Sequence, residues 1–378
     1  MGFISNAILA LEDGSTYIGE GFGIPQEISG EVVFNTGMVG YPEALTDPSY
    51  RGQILISTYP LVGNYGIPPK MNDKFNIPIG FQSKEIQVRG FGIQKLSKQP
   101  SHWSKQKTLN EWFLEEKKSG IEGIDTRSLT KKLRERGVML GIMQVFEENK
   151  KVDEKYFREK VKEIDDPNKR DLVKEVTVKE PVFHKYSNSP NVIVIDCGVK
   201  FDIIRNLVSR GTNTIRVPYD YPIDKILSYE SSGILISNGP GDPKKCKKTI
   251  QTVSELIETD LPIMGICLGN QILSLAGGAD TYKFKFGHRG QNHPVIDLKT
   301  RKCYVTSQNH GYAVSEKSLK GTKFEALFIN LNDKTIEGIM HKTKGIFGIQ
   351  FHPEANPGPC ETGFLFDKFV GAVKNYRN

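Results

Sequence analysis

Pro262-Ile263-Met264-Gly265-Ile266-Cys267-Leu268-Gly269-Asn270-Gln271 joins an apolar run to a helix-like stretch through a cysteine flanked by glycines. The residues before the cysteine read as a buried strand, and 270–276 as a helix that stops at Gly277-Gly278. Glycine two places either side of Cys267 is what a sharp strand-to-helix turn requires. A side chain at either position would strike the sheet or the substrate. On the first turn of such a helix the positive end of the dipole favours a thiolate. By itself the turn fits a reactive cysteine and a buried structural cysteine equally.

Working outward, Val192-Ile193-Val194-Ile195-Asp196 reads as a buried parallel-type strand, followed by Gly198 and a helix over 201–209. Thr214-Ile215-Arg216-Val217-Pro218 and Gly233-Ile234-Leu235-Ile236-Ser237 are further strands, and 247–258 is a helix leading to the strand before Cys267. This βαβαβα alternation predicts an α/β domain built on an open, mostly parallel sheet flanked by helices. Function in such sheets gathers at the carboxyl ends of strands, where both Cys267 and the loop Asn238-Gly239-Pro240-Gly241 fall.

Upstream the texture differs. Ala7 to Leu11 and Thr16 to Gly19 flank a Glu12-Asp13-Gly14-Ser15 turn, which predicts a hairpin. Gly- and Pro-punctuated strands follow to about residue 93, then helices over 109–118 and 128–136. Residues 147–174 alternate in charge and predict an exposed helix with i,i+4 pairs. The polar, proline-bounded stretch 181–190 reads as a linker. The expected organisation is a β-rich α/β domain over 1–187 and a second domain over 188–378.

Composition sets bounds. The chain has 378 residues, 38% apolar and 25% charged, a length that suits two domains with separate cores. No apolar run spans a bilayer, and Met1 to Asn6 lacks the features of a secretory signal. Five cysteines are scattered with no CxxC, so neither a disulfide framework nor a zinc ribbon is indicated, and a reducing cytoplasm is expected. Net charge is +7, from 51 basic and 44 acidic residues, mostly interleaved. No basic motif interleaved with aromatics points to nucleic acid. The one basic cluster, Lys244-Lys245-Cys246-Lys247-Lys248, reads as a solvated helix start.

A thiolate attacking a carbonyl needs a base to move a proton and a third group to hold that base. Phe351-His352-Pro353-Glu354 follows the apolar strand at 346–350. In extended backbone, positions i and i+2 point the same way, so Glu354 can orient the His352 imidazole. An attacked amide also needs two donors for its developing oxyanion. The Leu268 N–H supplies one, and the Gly239 loop can approach closely enough to supply the other. His102, His184, His288, His293, His310 and His341 have poorer company, and no metal site is expected.

Three motifs together, Ser237-Asn238-Gly239-Pro240-Gly241-Asp242-Pro243, the Cys267 turn and Gln350-Phe351-His352-Pro353-Glu354, resemble a class I (triad) glutamine amidotransferase domain over 191–378. Asn35 to Tyr50, Thr58 to Gly66 and Gly123 to Thr130 resemble the small, glutamine-hydrolysing subunit of carbamoyl-phosphate synthetase. That resemblance implies Cys267 as nucleophile, His352 as acid and base, and Glu354 as its orienter. It implies L-glutamine contacts at Ser49, Gly239, Gly241, Leu268, Gln271, Asn309, Gly311 and Tyr312. Tyr312 stands where the family often has Phe; a contact made by backbone tolerates the change. Neither Cys360 nor the lysine cluster is a family feature. The resemblance further implies a large synthetase partner in a hetero-oligomer, with ATP and Mg2+ used there and no cofactor in this chain. No GxxxxGK[ST] loop occurs. Three readings follow: the glutaminase subunit, an amidotransferase subunit of another synthetase such as those for GMP or anthranilate, and a non-catalytic regulatory subunit. The first block argues against the second, and the intact Cys267, His352 and Glu354 against the third.

Overall fold

A computed structural model describes residues 5–147 and 150–376. Met1 to Ile4, which carry most of the leader reading, lie outside the described residues, as do 148 and 149 of the charge-dense stretch. The chain divides into two compact units, residues 1–71 with 79–170, and residues 72–78 with 171–378.

In the first unit, β1 (Ser5–Leu11) and β2 (Thr16–Gly23) form the expected hairpin. They join β3 (Glu27–Asn35), β4 (Gln53–Ser57), β6 (Gly90–Gly92), β8 (Ser119–Glu122) and β9 (Met139–Val145) in a closed barrel of order β1-β2-β8-β6-β4-β3-β9. Closure leaves no free edge to pair with another chain. A short parallel pair, β5 (Leu61–Val62) with β7 (Lys95–Leu96), stands apart. Helix Leu109–Glu115 starts on a capping box between Thr108 and Glu111, and buries Leu109, Trp112 and Phe113 in a cluster with Phe22, Phe81 and Phe91. Helix Thr126–Arg136 opens on an Asp125 cap and ends at Gly137.

The single exposed helix expected over 147–174 is not formed. Its described part breaks into helix Glu154–Lys160, two single 3-10 turns and helix Val173–Val176. The i,i+4 pair Glu154–Arg158 is present, but Phe157, Val161, Pro167 and Leu172 are buried. The first turn stops at extended Ile164, and Asp166 caps the next, which opens on Pro167, whose missing N–H suits a helix start.

The division between units falls after Arg170, earlier than the 187/188 boundary read from sequence. Residues 171–187 join the second unit through specific bonds: Tyr219 donates its hydroxyl to Asp171 at 2.7 Å, and Val178 its N–H to Asp196 at 3.1 Å. Part of the presumed linker is β10 (Val182–His184), an antiparallel edge strand on β12 (Asn213–Pro218).

The second unit holds a ten-stranded sheet. Its parallel part is β12-β11-β13-β14-β19, where β11 is Asn191–Asp196, β13 Gly233–Ile236, β14 Ile263–Ile266 and β19 Ile346–Ile349. The residues of β13, β14 and β19 are all buried, as expected for strands covered on both faces. Antiparallel strands β18 (Ile336–His341), β17 (Phe324–Asn330), β15 (Thr281–Asp297) and β16 (Cys303–Val314) continue the sheet beyond β19. Helices Phe201–Ser209 and Phe364–Tyr376 pack with one apolar cluster, and Lys247–Glu258 with another; Leu268 and Ile272 of Leu268–Ala276 belong to the latter. The lysine cluster is the solvated start of helix Lys247–Glu258, with Lys244 paired to Asp280 at 2.7 Å, while Cys246 points inward. No described helix is long and apolar enough to cross a membrane.

Candidate active site

Cys267 sits between β14 and helix Leu268–Ala276 with φ 54° and ψ −103°, a backbone conformation that non-glycine residues rarely adopt. The turn is this tight because its neighbours lack side chains. A Cβ on Gly269 would lie 2.0 Å from the Ile236 carbonyl oxygen, and one on Gly265 would lie 2.6 Å from that of Gly269. The Cys267 N–H donates to the Ile349 carbonyl at 2.8 Å, pinning the elbow to β19. Its Sγ lies 3.6 Å from the Asn309 carbonyl oxygen.

His352 stands just beyond β19, its N–H donating to the Ser307 carbonyl of β16 at 2.9 Å. Nδ1 meets Glu354 Oε1 at 2.7 Å, both side chains being buried. Nε2 has no aligned hydrogen bond, and the Cys267 thiol adds a smaller pull toward the protonated ring. Burial opposes charge on this imidazole, but the Glu354 carboxylate outweighs it and holds the ring well above the usual imidazole range. Burial likewise works against the Glu354 anion. The Lys200 ammonium and then His352 reverse that, so its carboxyl titrates below the usual range.

Lys200 escaped sequence reasoning. Its Nζ lies 3.0 Å from Glu354 Oε1 and donates to the Ala355 carbonyl at 2.8 Å, and the side chain is almost wholly buried. The only signal was its place directly after the carboxyl end of β11. There Asp196 accepts the Gly198 and Val199 N–H groups and Asn238 accepts that of Lys200. The loops after β11, β13, β14 and β19 thus bring Lys200, Gly239, Cys267 and His352 to one rim of the sheet.

The candidate glutamine contacts divide by unit. Gly239 approaches so closely that a Cβ would lie 2.0 Å from the Cys197 carbonyl oxygen and 2.9 Å from Leu268. The Leu268 N–H is the first of its helix and has no intrahelical carbonyl to meet. Gln271 donates to the Tyr312 carbonyl at 2.9 Å and to Gln350 at 3.1 Å, joining two of the candidates directly. Gly311 lies against the Arg289 guanidinium, and Gly241 adopts φ +84° beside Leu172. Ser49 belongs to the first unit, in the 3-10 turn Pro48–Tyr50 capped by Asp47, whose carboxylate accepts its N–H at 2.9 Å.

One grouping of metal-ligand type occurs among the described residues: His288, His310 and Glu337 place ligand atoms within 4.8 Å of one another. Each of the four ring nitrogens already meets an oxygen-bearing protein group, so the cluster has a protein-only explanation.

The chemistry this rim offers is covalent. A sulfur at a strained elbow, near a carboxylate-clamped imidazole, can attack a carbonyl, and N–H groups at a helix start and a glycine loop suit a developing oxyanion. Comparison with known proteins shows the family. Residues 193–372 match the family model described as glutamine amidotransferase class-I, and residues 9–143 match that of the carbamoyl-phosphate synthase small chain, CPSase domain. The carbamoyl phosphate synthase small chain of Methanopyrus kandleri is 46% identical, with 98% of this chain and 99% of that protein covered. The protein of the same description from Methanocaldococcus jannaschii is 49% identical, with 96% and 98% covered. An arginine-specific small chain from Neurospora crassa is 45% identical, with 99% of this chain and 81% of that protein covered. Its strained elbow cysteine, clamped histidine and barrel-forming first unit are therefore those of a member of the carbamoyl-phosphate synthase small-chain family.

Proposed function

We propose that this chain hydrolyses the side-chain amide of L-glutamine to glutamate and ammonia, and hands the ammonia to a large synthetase chain. That partner makes carbamoyl phosphate from bicarbonate and ATP, for arginine or pyrimidine synthesis. The observation that carries the reading is the strained Cys267 elbow after β14, beside the Glu354-clamped His352 after its paired strand β19.

The Cys267 thiolate attacks the amide carbon, and the Leu268 and Gly239 N–H groups stabilise the resulting oxyanion. His352 gives its proton to the departing nitrogen, which leaves as ammonia. The thioester is then opened by water, whose proton His352 takes, and collapse of the intermediate releases glutamate and restores the thiolate beside the protonated ring. Glutamine is held by Gly239, Gly241, Leu268, Gln271, Asn309, Gly311 and Tyr312. Glu354 fixes the imidazole and Lys200 keeps Glu354 ionised.

Ammonia released into water would protonate and lose its nucleophilicity, so its use requires a partner chain, and a hetero-oligomer is the working form. ATP and Mg2+ act in that partner; the lack of a GxxxxGK[ST] loop here supports this assignment. The test is ammonia release from glutamine by the purified chain and by Cys267→Ser. Slow release by the native chain, lost in the variant and raised by the large chain, is expected. Equal rates in the two proteins would reject Cys267 as nucleophile.

A further inference from the structure

The buried histidine cluster of the antiparallel strands is not used by the chemistry above, yet it is wired to it. His288 on β15 meets Glu337 Oε1 of β18 through Nδ1 at 3.2 Å, and Asp333 Oδ2 through Nε2 at 2.9 Å. A carboxylate oxygen only accepts, so both nitrogens carry protons and the ring is a cation. Burial resists this, but the two carboxylates prevail. The Glu337 side chain also accepts from Asn330 at 2.9 Å, and the nearby Gln308 carboxamide favours its ionised form. Gln308 in turn lies 3.1 Å from His310 Nε2, and His310 donates Nδ1–H to the Tyr312 carbonyl at 2.9 Å. The edge of the His310 ring meets His288, with centroids 5.0 Å apart at 83°.

That carbonyl is the one Gln271 grips. An unbroken chain of contacts therefore runs from Asp333 through His288, Glu337, Gln308 and His310 to Tyr312 and Gln271. Along the way it fixes the backbone of 308–312, which includes the Asn309 carbonyl beside Cys267 Sγ. Packed polar networks of this kind have few alternative arrangements and so set backbone position, although the buried Glu337 Oε2 here finds no hydrogen-bond partner.

We propose that His288 is a positioning residue for glutamine: clamped between Asp333 and Glu337, it fixes the 308–312 backbone and the Tyr312–Gln271 contact through Gln308 and His310. The proposal rests on the glutaminase reading. It assigns His288 no contact with substrate and no proton transfer.

The test is a double-mutant cycle on the purified chain with its large partner, using His288→Gln and Gln308→Leu and reading KM for glutamine and kcat separately. Each variant is expected to raise KM about tenfold with kcat changed by less than about threefold, and the pair to raise it little further, because the two act through one network. Glu337→Gln, which keeps an acceptor for Asn330, is expected to recover most of the KM lost in Glu337→Ala. If His288→Gln does not fold, Asp333→Asn takes its place; its side chain is 41% exposed and its removal opens no core cavity. Unchanged KM in folded variants, or multiplicative effects in the pair, overturn the proposal while leaving the glutaminase reading intact. An inactive native chain overturns both.

Discussion

Two histidines of the second unit are each clamped by carboxylate and each held more basic than usual, yet they are built for different work. His288 has an acidic partner on both nitrogens. His352 has Glu354 on one and leaves the other to the Cys267 thiol. A ring filled at both ends is a strut, because losing its proton breaks a bond to a carboxylate. A ring with one nitrogen uncommitted can give and take a proton there while the other end stays anchored. Burial and basicity alone do not separate the two; the number of occupied nitrogens does.

The largest test of this contrast is His352→Asn. It should lower kcat roughly 10²- to 10⁴-fold, the usual range for a positioned acid–base group, with KM for glutamine little changed. A loss confined to KM would place His352 with the struts. Next is Lys200→Met, which leaves the buried Glu354 carboxylate facing His352 alone. Removing one partner of a buried pair should destabilise the protein by about 3–5 kcal/mol, read from urea midpoints at pH 7. An unaltered midpoint would mean that Glu354 does not need its lysine to stay buried.

The third test concerns pH. His288 is raised from an ordinary 6.5 up to about 9, against burial, by Asp333 and Glu337. The folded state thus binds a proton the unfolded state releases. Its contribution is whole below pH 6.5 and disappears as pH rises through about 9. The native protein should lose more stability than His288→Gln between pH 6.5 and 9.5, and equal losses would deny the clamp. The smallest expected effect is that of Cys303→Ser and Cys360→Ser, both exposed. They should shift stability by less than about 0.5 kcal/mol and leave ammonia release unchanged. Such variants let thiol-blocking experiments report on the buried cysteines.

How much of this was legible beforehand follows the range of the interactions. The Cys267 turn depends on residues within two positions of it, and its glycines announced it. Helices over 201–209 and 247–258 were readable because their apolar spacing is local. His352 and Glu354 were found as an i,i+2 pair, again a local relation. Lys200 was missed because its partner lies 154 positions further on, and nothing in the sequence around Gly198-Val199-Lys200 names Glu354. The charge-dense stretch 147–174 misled because interleaved lysines and glutamates masked Phe157, Val161 and Leu172, which turn inward. β10 looked like linker because an edge strand of three residues carries no periodicity to read. The His288 cluster is assembled from strands β15, β16 and β18 and from Asp333, so only the sheet register reveals it.

Residues 72–78 belong with the second unit although the chain on both sides of them builds the first. Asp73 there holds Arg205 of helix Phe201–Ser209 at 2.7 Å, and Ile77 is buried in the same apolar cluster as that helix. A gene cut after residue 170 would consequently yield two incomplete products. The downstream piece would expose an apolar hollow and leave Arg205 to Asp202 alone, and the upstream piece would carry seven residues without their seat. Halves made this way should recover their order only when mixed.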